Sequence, residues 1–374
     1  MSIDLVRHFQ ELSDPRVVGR CDHKLVDIIA IALAGACAGM KTWENIQLFA
    51  EERETWFRTW LELPCGIPSH DTFRRFFAML KPKAFSACFE AWAKEVAADL
   101  HRETIHIDGK TLRGSGDRKK GILPVHLVNA WASNNGLVLG CRKVDGHESE
   151  AQALPELLQS MEITGAIVTY DAGGCYKKVA EEIRKRGAEY VICLKGNQQG
   201  LLDEAKQLFA QAQGQAFDDC AQGHTRTADK GHGREEIRDY WLFRDHTLGG
   251  RKSEWRDLRC FGKVQSTRIV DGTVTVDERY YITSLPCRVK RFAEAVRRHW
   301  EVENVLHWSL DMSYDEDSRK NRTGHLAENL AILNRAVLPV VRKTAGKNKY
   351  QSAPSKQMTA ALKTDYLEEI LRNF

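Results

Sequence analysis

Near residue 104 the spacing of apolar residues changes from helical to alternating, and the order of elements that follows is the tightest constraint on the fold. Thr104-Ile105-His106-Ile107-Asp108 alternates. Leu123 to Trp131 and Leu137 to Arg142 are two further strand-like runs, joined by the hairpin signal Ser133-Asn134-Asn135-Gly136. Three successive antiparallel strands are expected. A helix through Leu154, Leu157, Leu158 and Met161 follows, then a buried strand, Ala166 to Tyr170. A helix through Val179, Ala180 and Ile183 and a strand, Tyr190 to Leu194, complete the series. The order βββαβαβ calls for a mixed sheet with helices on its faces.

That order is the one found in an RNase H-like α/β core. Before it, residues 1–100 read as all-helical. Leu25 to Met40 is a buried helix, and Thr42 caps an amphipathic run through Trp43, Ile46, Phe49, Phe57 and Trp60. Ser69 caps a short helix carrying Arg74 and Arg75, and Pro82 opens another through Phe85, Phe89 and Trp92. Helix, tight turn and short basic helix fit a helix-turn-helix that binds DNA. An ordinary helical hairpin with solvated arginines fits the same residues. After the core strands, residues of about 217–287 read as a β-rich insertion, followed by one long helix from about Val289 to Leu310. A helix through Leu326, Leu330, Leu333, Val337 and Val341 comes next, then a tail, 346–374, read as a loose linker with one short helix. The expected organisation is a helical N-terminal domain (1–100), a mixed-sheet catalytic core with its insertion (101–345) and the tail.

At 374 residues, with 43% apolar and 28% charged residues, the composition excludes disordered, collagen-like and coiled-coil chains. The ten cysteines are too scattered for a zinc knuckle or a thiol redox pair and read as reduced thiols. Leu25 to Met40 is apolar but contains Asp27 and falls short of the ~20 residues that span a bilayer. A cytoplasmic protein without a membrane partner is expected. The net charge of +4 is too small to imply a polyanionic partner, but its distribution is not uniform. From Ser318 to Tyr350 there are eight Lys or Arg against one acid, a basic footprint suited to a phosphodiester polymer.

Three carboxylates stand where they could do chemistry. Asp108 ends the first strand and is followed by Gly109, which would leave room for a ligand or a nucleic-acid backbone. Asp171 ends the buried strand, with Gly173 and Gly174 behind it. Taken alone, each aspartate is more commonly a turn residue or helix cap. Adjacent strand ends would instead set two like charges together, an arrangement that favours a divalent cation. On the long helix, Phe292, Val296, His299, Glu303, Leu306 and Leu310 form one stripe by the 3.6-residue repeat, while Glu301 points to the opposite, solvated face. An ionised glutamate among apolar neighbours needs a metal, a proton or a cation such as Arg297 or Arg298. Asp311, Ser313 and Asp315 resemble the opening of a calcium loop, but Glu316 stands where Gly is needed and Arg322 where Glu is needed.

The motifs together carry a family resemblance. His106-Ile107-Asp108-Gly109-Lys110-Thr111-Leu112-Arg113-Gly114, Val168-Thr169-Tyr170-Asp171-Ala172, Leu194-Lys195-Gly196-Asn197-Gln198 and Asp229-Lys230-Gly231-His232-Gly233-Arg234 resemble the ISAs1 family of bacterial insertion-sequence transposases, which includes the H-repeat-associated proteins. The stretch from His299 to Asp311, Glu316-Asp317 and Ala327-Glu328-Asn329-Leu330 match too, as do His23 to Ile28 and Ile67 to Phe73. The resemblance implies a DDE transposase whose Asp108, Asp171 and Glu303 hold two Mg²⁺ or Mn²⁺ ions, cutting insertion-sequence ends and joining the 3′-hydroxyl to target DNA. A metal nuclease without strand transfer and a catalytically silent DNA-binding protein are the other readings. Lys110, Arg113, Lys195 and Arg234 are candidate phosphate contacts, Arg74 and Arg75 candidate recognition residues, and Arg319 and Arg322 belong to the basic segment. Double-stranded DNA is the expected partner, a homodimer the expected assembly and the bacterial nucleoid the expected place. Around the glutamate, Val296, His299 and Leu310 stand where the related IS4-type signature has Tyr, Arg and Lys. Gly146-His147-Glu148-Ser149-Glu150 replaces the usual Lys-Ser-Asn-Glu stretch, and Gly173-Gly174-Cys175-Tyr176 after Asp171 is also unusual.

Overall fold

The computed structural model describes residues 7–17, 19, 21–97, 100–146, 148–212, 222–231, 233–244, 254–348 and 350–374. His147, His232 and the first residues of the expected insertion, 217–221, lie outside them. Up to residue 97 the described elements are helices: α1 (Leu25–Cys37), α2 (Trp43–Glu51), α3 (Glu54–Phe57), α4 (His70–Met79) and α5 (Pro82–Val96). Their starts follow local chemistry. Thr42 accepts the amide of Asn45, Ser69 accepts that of Thr72, and Pro82 fills the first turn of α5, where no amide is needed. Inside α1, buried Asp27 accepts the backbone amide of Leu63 at 3.0 Å, which satisfies both groups. Among the described residues no helix is long and apolar enough to cross a membrane.

The strands are β1 (Thr104–Leu112), β2 (Val125–Ala132), β3 (Leu137–Val144), β4 (Ile167–Tyr170), β5 (Glu189–Leu194), β6 (Gln222–Gly231), β7 (Arg234–Phe243), β8 (Cys260–Val270) and β9 (Thr273–Thr283). They form one nine-stranded sheet in the order β3-β2-β1-β4-β5-β9-β8-β7-β6. β1 to β3 pair antiparallel, while β4 runs parallel to both β1 and β5. The mixed α/β architecture agrees with the sequence pattern. The β-rich stretch, however, is no separate layer, because β9 hydrogen-bonds to β5 (Val191 opposite Thr283) and carries the sheet onward. Asp271 and Gly272 turn β8 into β9 with φ of 49° and 78°, a tight turn that glycine makes at low cost. Helices α6 (Glu150–Gln159), α7 (Lys177–Lys185) and α8 (Gln199–Ala212) connect the core strands.

Four helical pieces follow β9: α9 (Val289–His299), a π-helical segment (Val302–His307), α10 (Trp308–Tyr314) and α11 (Leu326–Lys343). The expected single helix is therefore interrupted. The Trp308 amide bonds to the Glu303 carbonyl five residues back, and this wider ring shifts everything after it by one residue, about 100° around the axis. The tail also departs from expectation. It forms α12 (Ala353–Leu362) and α13 (Thr364–Arg372), with Leu367, Ile370, Leu371 and Phe374 buried. One apolar core joins these two helices to residues of α1 to α5, the π segment, α10 and α11. Asn329 on α11 donates to the carbonyls of Phe77 and Leu80, so the N-terminal helices close on C-terminal ones. A second core lies between the sheet and α6 to α8.

Candidate active site

The register of the sheet brings the two aspartates together. Ile107 pairs with Tyr170 across the parallel β1 and β4, so Asp108 and Asp171 come next at the same level. Asp171 follows the end of β4, whereas Asp108, expected to end its strand, lies inside β1 opposite Asn129, because β1 goes on pairing with β2 as far as Leu112. Asp171 accepts the amide of Gly173 at 2.8 Å and thereby caps the turn Ala172–Gly174. A side chain at Gly174 would overlap the Tyr170 ring, with a Cβ only 1.7 Å from Cδ1, which explains the glycine. Gly109 has a different reason from the one expected. The space above it is filled by Glu150 and His126, whose atoms would lie 2.1 and 2.7 Å from a Cβ there.

Glu303 enters the same region from the π segment. The shifted register buries Val302 and Leu306, while Glu303 is exposed on the lip of a cleft. The buried-stripe argument is corrected accordingly. Phe292 and Val296 face one core, Leu306 and Leu310 face another, and Glu303 stands at the junction. Glu301 is no solvated-face residue either: half-buried, it accepts from Ser133 Oγ and from Arg298 Nε at 3.0 Å. The cleft, of about 600 Å³, is lined by Asp171, Glu303, His299, Lys195, Lys206, Arg279 and Trp300, among others. Arg279 stacks its guanidinium over Trp300 at 5.0 Å.

These carboxylates feel one another. Burial, then the charges of Glu303 and Glu150, and more weakly Asp171, push the Asp108 carboxyl up to about 7, against a lowering hydrogen bond from the Gly109 amide. Glu150 itself is pushed up by burial, but hydrogen bonds from His126 (2.7 Å) and Tyr170 (2.8 Å) outweigh that and hold it below its ordinary value. Hard oxygen donors that repel one another suit a divalent cation. Among the described residues, though, no three His, Cys, Asp or Glu side chains are gathered tightly enough to enclose an ion. Glu303 is exposed and Asp171 is engaged by the Gly173 amide.

Two residues of this site escaped the sequence reading. His307 Nδ1 lies 3.5 Å from Asp108 Oδ2, and its Nε2 lies 3.3 Å from Asn129 Nδ2. Burial, then the charges of Arg335, Lys110 and His126, lower its pKa to about 3, so it is a neutral imidazole. Its place four residues after Glu303 was the available signal. Glu150 is the other, and its helix-opening position behind Ser149 could have marked it.

The candidate DNA contacts divide. Arg74 and Arg75 are exposed on α4 beside Asp71, and Lys195 is exposed at the cleft. Arg113 is 80% exposed. Arg234 is exposed but pairs with Glu236 at 3.3 Å on β7. Lys110 does not face outward: it is buried and bonded to both oxygens of Asp311, at 2.8 and 2.7 Å, which corrects its assignment as a phosphate contact. The basic segment is also partly internal. Arg335 is buried against Glu316, burial lowers the pKa of Arg319, and Arg322 pairs with Asp117 at 2.8 Å.

Comparison with known proteins agrees with the motifs. Residues 99–338 match the family described as "Transposase DDE domain", and residues 6–93 match the one described as "DDE_Tnp_1-associated". The chain is 32% identical over 379 residues to "H repeat-associated putative transposase YhhI" of Escherichia coli (strain K12), covering 98% of this chain and 97% of that one. It is 33% identical over 390 residues to "Putative transposase YncI" of Escherichia coli O157:H7, covering 99% and 95%. A piggyBac transposase synaptic complex with hairpin DNA superposes with a TM-score of 0.43 at 9% identity, over 99% of this chain and 77% of that one. With one family pattern spanning Asp108, Asp171 and Glu303, and relatives aligned over nearly their whole length, the chain belongs to the DDE-domain transposases, DNA transposases that work as polynucleotidyl transferases.

Proposed function

We propose that this chain is a transposase of the ISAs1 group that cleaves DNA at the ends of its own insertion sequence and joins the freed 3′-hydroxyl to target DNA. The observation that carries the proposal is the parallel register that sets Asp108 beside Asp171, with Glu303 close enough that its charge is, after burial, the largest influence raising the Asp108 carboxyl. Members of this family generally use divalent ions, and these three residues would hold two Mg²⁺ or Mn²⁺ ions on an RNase H-like core. Bound ions would activate the attacking oxygen and stabilise the leaving one. The chain's own groups do the rest. Asp108 would hold an ion as a carboxylate, giving up its proton to solvent, and neutral His307 beside it adds no competing charge. Asp171 keeps Gly173 on one oxygen. Lys195, exposed in the cleft that holds Asp171 and Glu303, would take a phosphate, and Arg113, exposed beyond the end of β1 and 3.5 Å from Asp317, would take another. Arg74 and Arg75 on α4 would meet the end sequence from the N-terminal domain, residues 1–100. Arg322 and Arg234, each already paired, would contribute less. Synapsis of two ends would make a homodimer the working unit, on double-stranded DNA of the bacterial nucleoid.

The test is Glu303→Gln on a duplex carrying the element's ends. Mg²⁺-dependent nicking and joining should collapse by at least about a hundredfold while end binding persists, because an amide cannot offset a divalent charge. Glu294→Gln, an exposed site on α9, serves as the control and should keep its activity. Wild type that binds ends tightly yet nicks with neither Mg²⁺ nor Mn²⁺ would leave the silent-binder reading in its place.

A further inference from the structure

Behind the three carboxylates runs a second set of three residues in hydrogen-bond contact. His106 is two residues before Asp108 on β1, Thr169 two before Asp171 on β4, and His299 four before Glu303 at the end of α9. His106 and Thr169 are direct register partners. Thr169 Oγ1 lies 2.6 Å from His106 Nδ1 and 2.9 Å from His299 Nδ1, and the two rings meet edge to face at 5.8 Å. In a strand, residues two apart share a face, so His106 and Thr169 sit one step below Asp108 and Asp171, while His299 stands about one helical turn before Glu303. We infer that His106, Thr169 and His299 are positioning residues, a hydrogen-bonded chain that fixes the spacing of the three elements bearing Asp108, Asp171 and Glu303. The inference rests on the reading of those carboxylates as the ion-holding set.

The chain has only one consistent direction. The Glu301 carboxylate, paired with Arg298, can only accept, so Ser133 gives it its single hydroxyl proton. Ser133 Oγ, 2.8 Å from His106 Nε2, must then accept, which puts the proton of His106 on Nε2. His106 is fully buried with the Thr169 and Ser133 hydroxyls on its two nitrogens, a setting that leaves no water to solvate a ring charge, so it carries one proton, and burial lowers the pKa of His299 to about 4. His106 Nδ1 is therefore bare and takes the Thr169 hydroxyl proton. Thr169 in turn accepts from His299 Nδ1–H. The direction runs from His299 through Thr169, His106 and Ser133 to Glu301, and it ties α9, β4, β1 and the β2–β3 turn together. The chain carries no net charge until Glu301, so it can hold geometry without adding to the field at Asp108.

The test uses the full chain with Mn²⁺ as the probe and has two readouts. Nitrogen-15 shifts of the histidine rings should report His106 protonated on Nε2 and His299 on Nδ1. Mn²⁺ titration followed by electron paramagnetic resonance should show Thr169→Val weaker than wild type by about ten- to hundredfold, the usual effect of losing a group that orients a ligand. Thr169→Ser, which keeps the hydroxyl, should bind with roughly wild-type affinity. His299→Asn keeps a donor near Nδ1 and should hold Mn²⁺, whereas His299→Leu should not, and this pair decides the matter if Thr169→Val fails to fold. Wild type that binds Mn²⁺ with the opposite tautomers, or variants without the hydroxyl or donor that bind it equally, would overturn the chain alone. Wild type that binds no Mn²⁺ would overturn the ion-holding reading first and this inference with it.

Discussion

Two polar networks flank the carboxylates, and they are built from different kinds of group. The one behind Asp108 and Asp171 passes through neutral His299, Thr169 and His106. The other reaches Asp108 through His307 and Asn129, and Asn129 accepts from Arg335 Nε at 2.5 Å. Arg335 pairs with Glu316 at 3.0 Å, and Glu316 also accepts from Asn334 at 3.1 Å. Both charged partners are about 2–3% exposed. A neutral chain sets positions without a field, whereas a buried ion pair sets positions and depends on both charges being present. The contrast assigns geometry to the first network and the joining of α11 to the sheet to the second.

The largest expected effect breaks the charged network. Glu316→Ala would leave the Arg335 guanidinium buried and uncompensated, and removing one partner of a buried pair typically costs about 3–5 kcal/mol. Urea unfolding should register that loss. The double variant Glu316→Leu with Arg335→Met should recover most of it, because no charge is then stranded. A single variant as stable as wild type would mean that the pair is screened and the contrast is false.

Next in size is the effect of pH on Asp108, which both networks approach. With a folded value near 7 against an ordinary 3.8, this carboxyl stays protonated in the folded chain while the unfolded chain ionises. Folding stability is therefore lost as pH rises from about 4 to about 7 and levels off above that, with a total of up to about 4 kcal/mol. Asp108→Asn cannot ionise. In the presence of a chelator its Tm advantage over wild type should widen across that window and stay flat at higher pH. A difference that is constant from pH 4 to 8 would show that Asp108 titrates normally.

The sequence shows the strand ends far better than the helix that faces them. Asp108 and Asp171 are fixed by alternation and by a parallel register, which depends on a two-residue period that nothing nearby disturbs. Glu303 is the helical carboxylate that the sequence singles out, but the reason for choosing it is one the structure removes. A stripe assumes an unbroken 3.6-residue repeat, and the π segment inserts one residue of drift at that point. Propensity carries no signal for such a wide turn. It forms where two cores, one facing Phe292 and Val296 and the other Leu306 and Leu310, each claim a side of one helix. Strand β6 was also missed. Its run from Gln222 to Gly231 has no apolar alternation, and as the last strand of the sheet it pairs on one side only. Lys110 misled for a related reason, since motif position says nothing of Asp311, two hundred residues away, lying against its ammonium.

A smaller effect should come from the neutral network. Thr169→Val preserves volume but leaves two imidazole nitrogens without their partner, a loss of about 1–3 kcal/mol. That is less than Glu316→Ala because no charge is left bare. Thr169→Ser should fall between the valine variant and wild type in Tm, with the lost methyl group as its only deficit. If Thr169→Val destabilises the chain as much as Glu316→Ala does, the distinction between a geometric and a charged network collapses.

The smallest effect on stability is expected at the surface, where the same kinds of charge meet without burial. Arg74 and Arg75 reach toward Asp71 along one face of α4, exposed to 52% and 73%. Water screens such contacts and long side chains lose entropy in making them, so their removal leaves Tm essentially unchanged. The helix itself is held elsewhere, by Phe73, Phe76 and Phe77 in the core and by Ser69 at its start. Any loss of function on substituting the two arginines must then come from what they touch rather than from folding. Binding of Arg74→Ala and Arg75→Ala to a duplex carrying the element's ends and to a random duplex separates the two kinds of contact. Phosphate contacts weaken both duplexes alike, whereas base contacts weaken only the correct one. A selective loss on the end sequence, at unchanged Tm, is the expected result. Equal losses on both duplexes would make α4 an electrostatic clamp, and no loss on either would move end recognition away from these residues altogether.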